Sequence, residues 1–191
     1  MHDDEIRAAL ERGDTQAAFR LLANAHGPAV YAMCCRIVRH PRTAEDVMQE
    51  VLLSAYRHRH QMREVVTLRA WLMKIATRKS LDALRASRRN ERLSHALTTA
   101  GDPPPPASDL IGVLARREDA RALERGLASL DPETCAALLL RYREGVSWEG
   151  IAETLGVPLD TIRMRVQRGG LKRLREILEA GAAAEAQEVK P

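Results

Sequence analysis

The stretch SWEGIAETLGVPLDTIRMRVQRGGLKRLR, residues 147–175, has the clearest structural pattern in the chain. Ser147 is a typical N-cap for a short helix, and Gly156 ends that helix because glycine adopts the left-handed conformation at little cost. Val157 and Pro158 then turn the chain, and a second helix starts near Leu159–Thr161. Its inward residues recur every four positions and should pack on the first helix; they are Ile162, Val166, Gly170 and Leu174. The stretch therefore predicts a helix-turn-helix.

The outward positions of the second helix are rich in arginine. Near the start of the helix they are Thr161, Arg163, Met164, Arg165 and Arg168. A major groove admits one helix, whose N-terminal side chains reach base edges, and arginine pairs well with guanine. Lys172, Arg173 and Arg175 lie further along and are better placed for phosphates. The segment predicts binding to duplex DNA, and the alternative is a solvated basic helix face.

The net charge of +4 over 191 residues conceals two strongly basic segments. Residues 74–92 carry seven basic and two acidic side chains, a net charge of +5. Residues 160–175 carry six basic and one acidic side chain, also +5, which leaves −6 for the rest of the chain. Two separate cationic segments on an acidic body favour two contacts along one polyanion.

Helical periodicity and turn signals cover nearly the whole chain, and no convincing strand pattern is present. The expected fold class is all-α, with two small helical domains joined by a Pro-rich linker. The first domain is expected to span 1–93 and the second 110–181. The linker at 94–109 contains four consecutive prolines, and 182–191 is expected to be a tail.

The helix boundaries follow from capping residues and prolines. In the first domain, Asp14 or a neighbour is expected to cap a helix to about Asn24, and a second helix should cover Pro28–Arg39. Thr43 is expected to cap a third helix, with Glu45 and Asp46 in its first turn, and Thr67 a fourth helix to about Arg89. In the second domain, Asp131 followed by Pro132 predicts a helix start.

Several classes of function are disfavoured. The longest apolar runs fall far short of the roughly 20 residues that span a bilayer, so no membrane insertion is expected. No phosphate-binding glycine loop and no nucleophile–base pair is evident, so we expect no catalytic residues, no cofactor and no enzyme. His58 and His60 lack the further ligands of a metal site. Cys34, Cys35 and Cys135 are expected to be structural, with oxidant sensing as the alternative for the adjacent pair.

Two parts of the chain resemble one protein family. Residues 128–176 resemble region 4 of the sigma-70 family of bacterial RNA polymerase initiation factors. Residues 43–56, TAEDVMQEVLLSAY, and 67–85, TLRAWLMKIATRKSLDALR, resemble region 2 of that family. Two small domains joined directly by a linker, without region 1.1 or region 3, are typical of its extracytoplasmic-function (ECF) group.

The resemblance implies an alternative sigma factor of the bacterial cytoplasm. Such a protein binds core RNA polymerase through the β′ clamp and the β flap, recognises −35 and −10 promoter elements, promotes promoter melting, and is often held by an anti-sigma factor. The positions that match the β′ clamp contact are Asp46, Gln49, Glu50 and Leu53. The positions that match −10 DNA contacts are Arg57, His58, Arg59, His60, Arg63, Lys74, Arg78, Lys79 and Arg85. The positions that match contacts with duplex −35 DNA are Thr161, Arg163, Met164, Arg165, Arg168 and Lys172.

Other interpretations remain open. One is a DNA-binding regulator that uses only residues 147–175, and another is a sigma-like decoy that sequesters an anti-sigma factor. Trp71 is expected in the core rather than as a stacking residue, because it lies on the apolar stripe of its helix. Gly169 and Gly170 stand where the family has a small residue and arginine, so the recognition helix is expected to kink or end early there.

Overall fold

The computed structural model describes residues 2–93 and 114–188, and no strand occurs within these two ranges. The helices are α1 (His2–Glu11), α2 (Thr15–Val38), α3 (Pro41–Arg57), a short 3₁₀ helix (Arg59–Arg63), α4 (Leu68–Leu93), α5 (Leu114–Ala128), α6 (Pro132–Leu138), α7 (Trp148–Leu155), α8 (Leu159–Met164) and α9 (Lys172–Glu188). π-helical turns at Leu139–Arg143 and Arg165–Leu171 extend α6 and join α8 to α9. The all-α prediction is confirmed. The proposed linker lies outside the described residues, so the domain limits stay a prediction.

The first four helices form a bundle in which α2 contacts α1, α3 and α4. Its interior is aliphatic, as expected for a chain with one phenylalanine. The largest fully buried side chains of this half are Ile6, Leu22, Val30, Ile37, Val51, Leu68, Leu72 and Met73. The bundle leaves one face of α3 and one face of α4 toward solvent or toward the second half.

The prediction of two helices over 14–39 is wrong, because α2 runs without interruption from Thr15 to Val38. Asp14 caps it as expected, with its carboxylate accepting from the amide of Ala17 at 2.9 Å. Pro28 lies inside the helix, where it removes one donor. Leu22 and Val30 are both fully buried on either side of that proline. Burial against three neighbouring helices thus outweighs the lost hydrogen bond.

The predicted cap of α3 is also wrong by three residues. His40 occupies the N-cap position, and its Nδ1 accepts from the amide of Thr43 at 3.4 Å. Pro41 then fills the first turn, where a missing N–H costs nothing because that donor has no helical partner. Glu45 and Asp46 consequently lie beyond the first turn of the helix.

The local signals of the second half are confirmed. Asp131 caps α6 by accepting from the amide of Thr134 at 3.0 Å, with Pro132 in the first turn. Burial alone raises the pKa of Asp131, but hydrogen bonds from Thr134 and the nearby charge of Arg165 hold that pKa below its usual value. The carboxylate therefore stays ionised in its capping role.

The helix-turn-helix forms as predicted from residues 147–175. Ser147 caps α7 by accepting from the amide of Gly150 at 3.1 Å. Gly156 ends that helix with φ of 67°. Ile162 and Val166 of the second helix are fully buried, as the spacing of its apolar residues indicated.

Gly169 and Gly170 do not end the recognition helix. The chain passes through them as a π-helical turn and continues directly into α9. Gly170 is buried where this turn crosses α6, and a Cβ there would lie 2.9 Å from Cγ2 of Thr134 and 3.0 Å from Cδ1 of Leu138. Gly169 is exposed, and a Cβ on it would meet nothing within 4 Å. Of these two positions, close packing therefore requires glycine only at 170.

Polar contacts join the two halves of the molecule. Arg69 of α4 donates to both carboxylate oxygens of Glu144, at 2.7 and 3.0 Å, and the Glu144 side chain is only 3% exposed. Arg36 of α2 binds Glu124 of α5 in the same paired manner, and Arg39 donates to the carbonyl of Leu130. The second half is thereby held against α2 and α4.

Gly169 and Gly170 form a matched pair for a test of this packing. We expect Gly170→Ala to destabilise the protein by about 1–3 kcal/mol, because the added methyl overfills the contact with α6. We expect Gly169→Ala to stabilise it by up to about 1 kcal/mol, because alanine favours a helix and has free space there. Urea unfolding of both variants measures the difference, and a Gly170→Ala protein as stable as Gly169→Ala would contradict the packing.

The Arg69–Glu144 pair makes a second prediction about stability. Arg69→Met keeps much of the side-chain volume but leaves the buried carboxylate short of two donors, which should cost about 1–3 kcal/mol. Lys79→Met is the control, since Lys79 pairs with Glu50 at 3.2 Å on the surface and its loss should cost about 0.5 kcal/mol or less. Equal urea midpoints for the two variants would show that the buried pair contributes no more to stability than the Lys79–Glu50 pair on the surface.

Candidate nucleic-acid interface

The N-terminal part of the recognition helix presents its side chains outward. Met164, Arg165 and Arg168 are exposed, and Thr161 and Arg163 are half-buried. Lys172 follows on α9 and is exposed. The fixed turn at Gly156 and the burial of Ile162 orient this face away from the core of the second half. The residues predicted to meet −35 DNA therefore all keep part of their surface in solvent.

Two of these arginines pair with carboxylates. Arg163 lies 3.4 Å from Glu149 on α7, and Arg165 contacts Glu133 in the first turn of α6. Both arginine side chains keep more than 40% of their surface exposed. The pairs hold the guanidinium groups in place yet are weak enough to open, since exposed ion pairs contribute about 0–1 kcal/mol.

The basic face of α4 turns toward the second half. Arg78 donates to the carbonyls of Thr154 and Glu153, both at 3.3 Å, at the end of α7. Lys74 lies close to Gly150, where its Nζ would be 3.2 Å from a Cβ on that glycine. Arg85 lies 3.5 Å from Glu133, the same carboxylate that contacts Arg165. The two cationic surfaces predicted from the sequence are thus brought together around α6 and α7.

The segment between α3 and α4 is shaped by its own hydrogen bonds. His58 contacts the carbonyl of Ser54 at 2.8 Å, and the guanidinium of Arg59 lies 5.3 Å from the ring centre of Tyr56. His60 is exposed next to His58, with 6.3 Å between ring centres, and Arg57 is exposed as well. Arg63 instead turns back and donates to the carbonyl of Leu10 at 2.7 Å.

The predicted polymerase-facing side chains lie together on α3. Asp46, Gln49, Glu50 and Leu53 are all exposed. Leu53 keeps 52% of its surface in solvent, and Glu50 pairs with Lys79 of α4. An apolar side chain surrounded by acidic and amide groups is a surface suited to a partner with a basic rim.

Sequence reasoning missed the contribution of α1. Arg7 donates to the carbonyls of Met62 and Val65, at 3.4 and 2.6 Å, and Asp3 accepts from the amide of Leu68 at 3.2 Å. These contacts join residues more than fifty positions apart in the sequence, so no local sequence pattern predicts them. The amphipathic spacing of Ile6, Ala9 and Leu10, all buried, was the one signal available for the helix itself.

The three cysteines are buried thiols. Burial raises the pKa of Cys34 and of Cys135 to about 11, and it also raises the pKa of Cys35. A thiol with a raised pKa is mostly protonated at neutral pH and reacts slowly. The described residues contain no cluster of His, Cys, Asp and Glu that could hold a metal ion.

A search of the same residues for a long apolar helix found none that could cross a membrane.

Comparison with protein families matches both halves of the chain. The family described as Sigma-70 region 2 matches residues 22–90, and the one described as Sigma-70, region 4 matches residues 120–174. The first match covers α2 to α4, and the second covers the helix-turn-helix with the helices that support it.

Among curated proteins, the chain is similar to RNA polymerase sigma factors over most of its length. It is 34% identical to the RNA polymerase sigma factor CarQ of Myxococcus xanthus over 167 residues, which cover 87% of this chain and 92% of CarQ. It is also 34% identical to the ECF RNA polymerase sigma factor SigE of Mycolicibacterium smegmatis, covering 87% of this chain and 63% of SigE.

Two solved structures are similar to this chain in fold. The sigma factor RpoE from Bartonella quintana, in complex with the anti-sigma factor NepR, has a TM-score of 0.64 and 25% identity. That match covers 84% of this chain and 96% of RpoE. CnrH, in complex with the cytosolic domain of CnrY, has a TM-score of 0.53 at 23% identity and supports the fold alone, over 94% of this chain and 99% of CnrH.

The regional matches occur in the family's order, and each coincides with one of the two cationic surfaces. The identity to CarQ extends across both regions. This chain therefore belongs to the sigma-70 family, as an RNA polymerase sigma factor of the ECF group.

Proposed function

We propose that this chain directs core RNA polymerase to promoters by holding a −35 element on α8 and a −10 element on α4 and the 57–66 loop. The observation that carries the proposal is the pairing of two cationic surfaces with the two matched sigma regions. One surface is an exposed recognition helix and the other is the basic face of a long helix. A single DNA-binding surface would account for the match to region 2 or to region 4, but not for both matches.

In this proposal the second half reads duplex −35 DNA. Arg163, Met164 and Arg165 meet base edges in the major groove, since they lie where α8 passes into the π-helical turn and are at least partly exposed. Thr161 and Arg168 flank them. Lys172 lies one turn beyond Arg168 and meets the phosphate backbone, which positions the helix without reading sequence.

The first half holds the −10 element. The 57–66 loop takes up one unpaired base, aided by the exposed side chains of Arg57, His58, Arg59 and His60, with Arg63 beside them. Lys74, Arg78, Lys79 and Arg85 follow the backbone of the opened strand. A base held outside the stack offsets the few kcal/mol that unstacking costs, so melting proceeds without ATP.

Core polymerase binds both halves. The β′ clamp contacts Asp46, Gln49, Glu50 and Leu53 on α3, where the exposed leucine gives the contact an apolar centre. The β flap contacts the second half. An anti-sigma factor is proposed as a further partner, because the solved structure of RpoE described above contains that sigma factor bound to the anti-sigma factor NepR. The bacterial cytoplasm is the compartment that this function requires.

Transcription in vitro tests the proposal directly. Purified core polymerase with this chain should produce transcripts that start at defined promoters, and core alone should not. Promoter-specific DNA binding without core binding would instead support a regulator that uses only the helix-turn-helix. Binding to an anti-sigma factor with neither activity would support the decoy.

The −35 assignment predicts two different mutant phenotypes. Arg163→Ala and Arg165→Ala should each weaken binding to the preferred −35 sequence by roughly tenfold and relax sequence preference, since base contacts specify. Lys172→Ala should weaken binding equally to all sequences and lower the slope of log K against log salt by about 1. Competition binding with randomised −35 duplexes separates the two effects, and unchanged preference in both arginine variants would refute the assignment.

The core assignment predicts a charge effect. The double variant Asp46→Lys, Glu50→Lys should lower affinity for core polymerase by roughly tenfold or more. It places positive charge opposite a partner surface that is expected to be positively charged itself. Glu5→Lys, Glu11→Lys is the control, since it makes the same change in net charge on two exposed residues of α1. Fluorescence anisotropy of labelled sigma measures both, and equal affinities would place the docking surface elsewhere.

A further inference from the structure

The loop that precedes α4 is held from outside by the N-terminal helix. Arg7 of α1 donates from Nε to the carbonyl of Met62 at 3.4 Å and from Nη2 to the carbonyls of Val65 and Val66, at 2.6 and 3.3 Å. One guanidinium therefore binds three carbonyls on both sides of the end of the 3₁₀ helix. Arginine suits this task because its donors form a rigid planar fork.

A reciprocal contact closes the arrangement. Arg63, in the last turn of the 3₁₀ helix, donates to the carbonyl of Leu10 at 2.7 Å. That carbonyl belongs to the last turn of α1 and also accepts from the amide of Gly13 at 3.1 Å. Arg7 reaches from α1 to the loop and Arg63 reaches from the loop to α1, so the two segments cannot shift past each other without breaking both contacts.

The same helix fixes the residue at which α4 begins. One carboxylate oxygen of Asp3 accepts from the amide of Leu68, the first residue of α4, at 3.2 Å. The other oxygen lies 2.9 Å from Nε2 of His26, which is 7% exposed on α2. Asp3 thus ties the first turn of α4 to the bundle and sets where the loop must end.

Burial explains why α1 can act as a rigid support. A ten-residue helix is marginal by itself in water. Here Ile6 and Ala9 are fully buried and Leu10 is 7% exposed, so the helix is docked along α2. Met62 of the 3₁₀ helix is also buried, next to a small apolar cavity lined in part by Leu10, Phe19 and Tyr56. The loop is anchored by its one buried side chain and by Arg7.

We propose that α1 is a positioning element for −10 recognition, in which Arg7 and Arg63 hold the 57–66 loop in the conformation that receives the unpaired base. The helix lies outside the segment matched by the region 2 family, which begins at residue 22. Arg7 does not touch DNA in this proposal. By ordering the loop beforehand, it lowers the conformational entropy that the loop would otherwise lose when it binds the base. The proposal rests on the function assigned above to the loop.

The first arm of the test uses the free protein and does not depend on that function. Hydrogen exchange is compared among the natural chain, Arg7→Ala, Arg7→Lys and Arg12→Ala. Arg12 is the matched control because it is exposed just past the end of the same helix. Arg7→Ala should raise exchange of the loop amides roughly tenfold or more. Arg7→Lys should lie between, since an amine cannot reproduce the planar fork, and Arg12→Ala should match the natural chain.

The second arm uses holoenzyme made with each variant. Arg7→Ala should weaken binding to a single-stranded −10 oligonucleotide and slow promoter opening by roughly tenfold, because the base site is no longer preorganised. Affinity for core polymerase and for a −35 duplex should stay within twofold of the natural chain. Arg63→Ala should raise loop exchange in the free protein as Arg7→Ala does. In holoenzyme, Arg7→Lys should restore part of the activity, which simple misfolding would not allow.

The outcomes separate the two proposals. Unchanged loop exchange in Arg7→Ala would overturn the positioning role whatever the holoenzyme does. Raised exchange together with equal losses of core, −35 and −10 binding would also overturn it, since Arg7 would then support the fold in general. If holoenzyme with the natural chain opens no promoter, the proposed function fails, whereas loop exchange still decides whether Arg7 positions the loop.

Discussion

The relative placement of the two halves depends on the hydrogen-bonded ion pair between Arg69 and the buried carboxylate of Glu144. Its side chain is 3% exposed and receives two hydrogen bonds from Arg69. A carboxylate removed from water is costly unless it is paired and hydrogen-bonded. Arg69 lies in the first turn of α4, and Glu144 lies just before the segment that leads into α7. The pair therefore aligns the start of α4 with the start of the helix-turn-helix.

This alignment has an electrostatic consequence for the cationic surfaces. Arg78 is bound to carbonyls at the end of α7, and Glu133 contacts Arg85 of α4 as well as Arg165 of the π-helical turn. The chain thus neutralises part of its own positive charge with acidic groups of its second half. Under the proposed function, phosphates replace these partners when DNA binds. Salt weakens both kinds of contact, so it acts on the separation of the halves as well as on DNA affinity.

The sequence predicts those features whose causes lie within a few residues. The caps at Asp131 and Ser147, the left-handed Gly156 and the buried spacing of the recognition helix all depend on local chemistry, and all are confirmed. The predicted break before Pro28 fails because packing on three helices keeps α2 continuous. The cap at His40 was not predicted from the sequence because histidine is an uncommon N-cap.

Long-range contacts mark the limit of sequence reasoning at the candidate site. The cationic residues are identifiable from charge and family resemblance, but their partners are not. Arg69 and Glu144 are 75 residues apart, and Arg7 and Val65 are 58 residues apart. Such pairs arise from the folded arrangement of helices, and neither periodicity nor capping signals encode them. The support given to the loop by α1 was missed for this reason.

The shortage of free aromatic surface gives that support its importance. In the first half, Trp71 is partly buried and donates to Gln61 at 3.3 Å. Tyr56 is 44% exposed, but its ring contacts Phe19 edge-on and lies 5.3 Å from the guanidinium of Arg59. Under the proposed function, a base leaving the stack finds few open rings on which to stack and depends on backbone and polar atoms of the 57–66 loop. Hydrogen bonds select a base only when their atoms are fixed. Because Arg7 fixes three of the loop's carbonyls, two relatives with the same loop sequence but different first helices need not select the same −10 base.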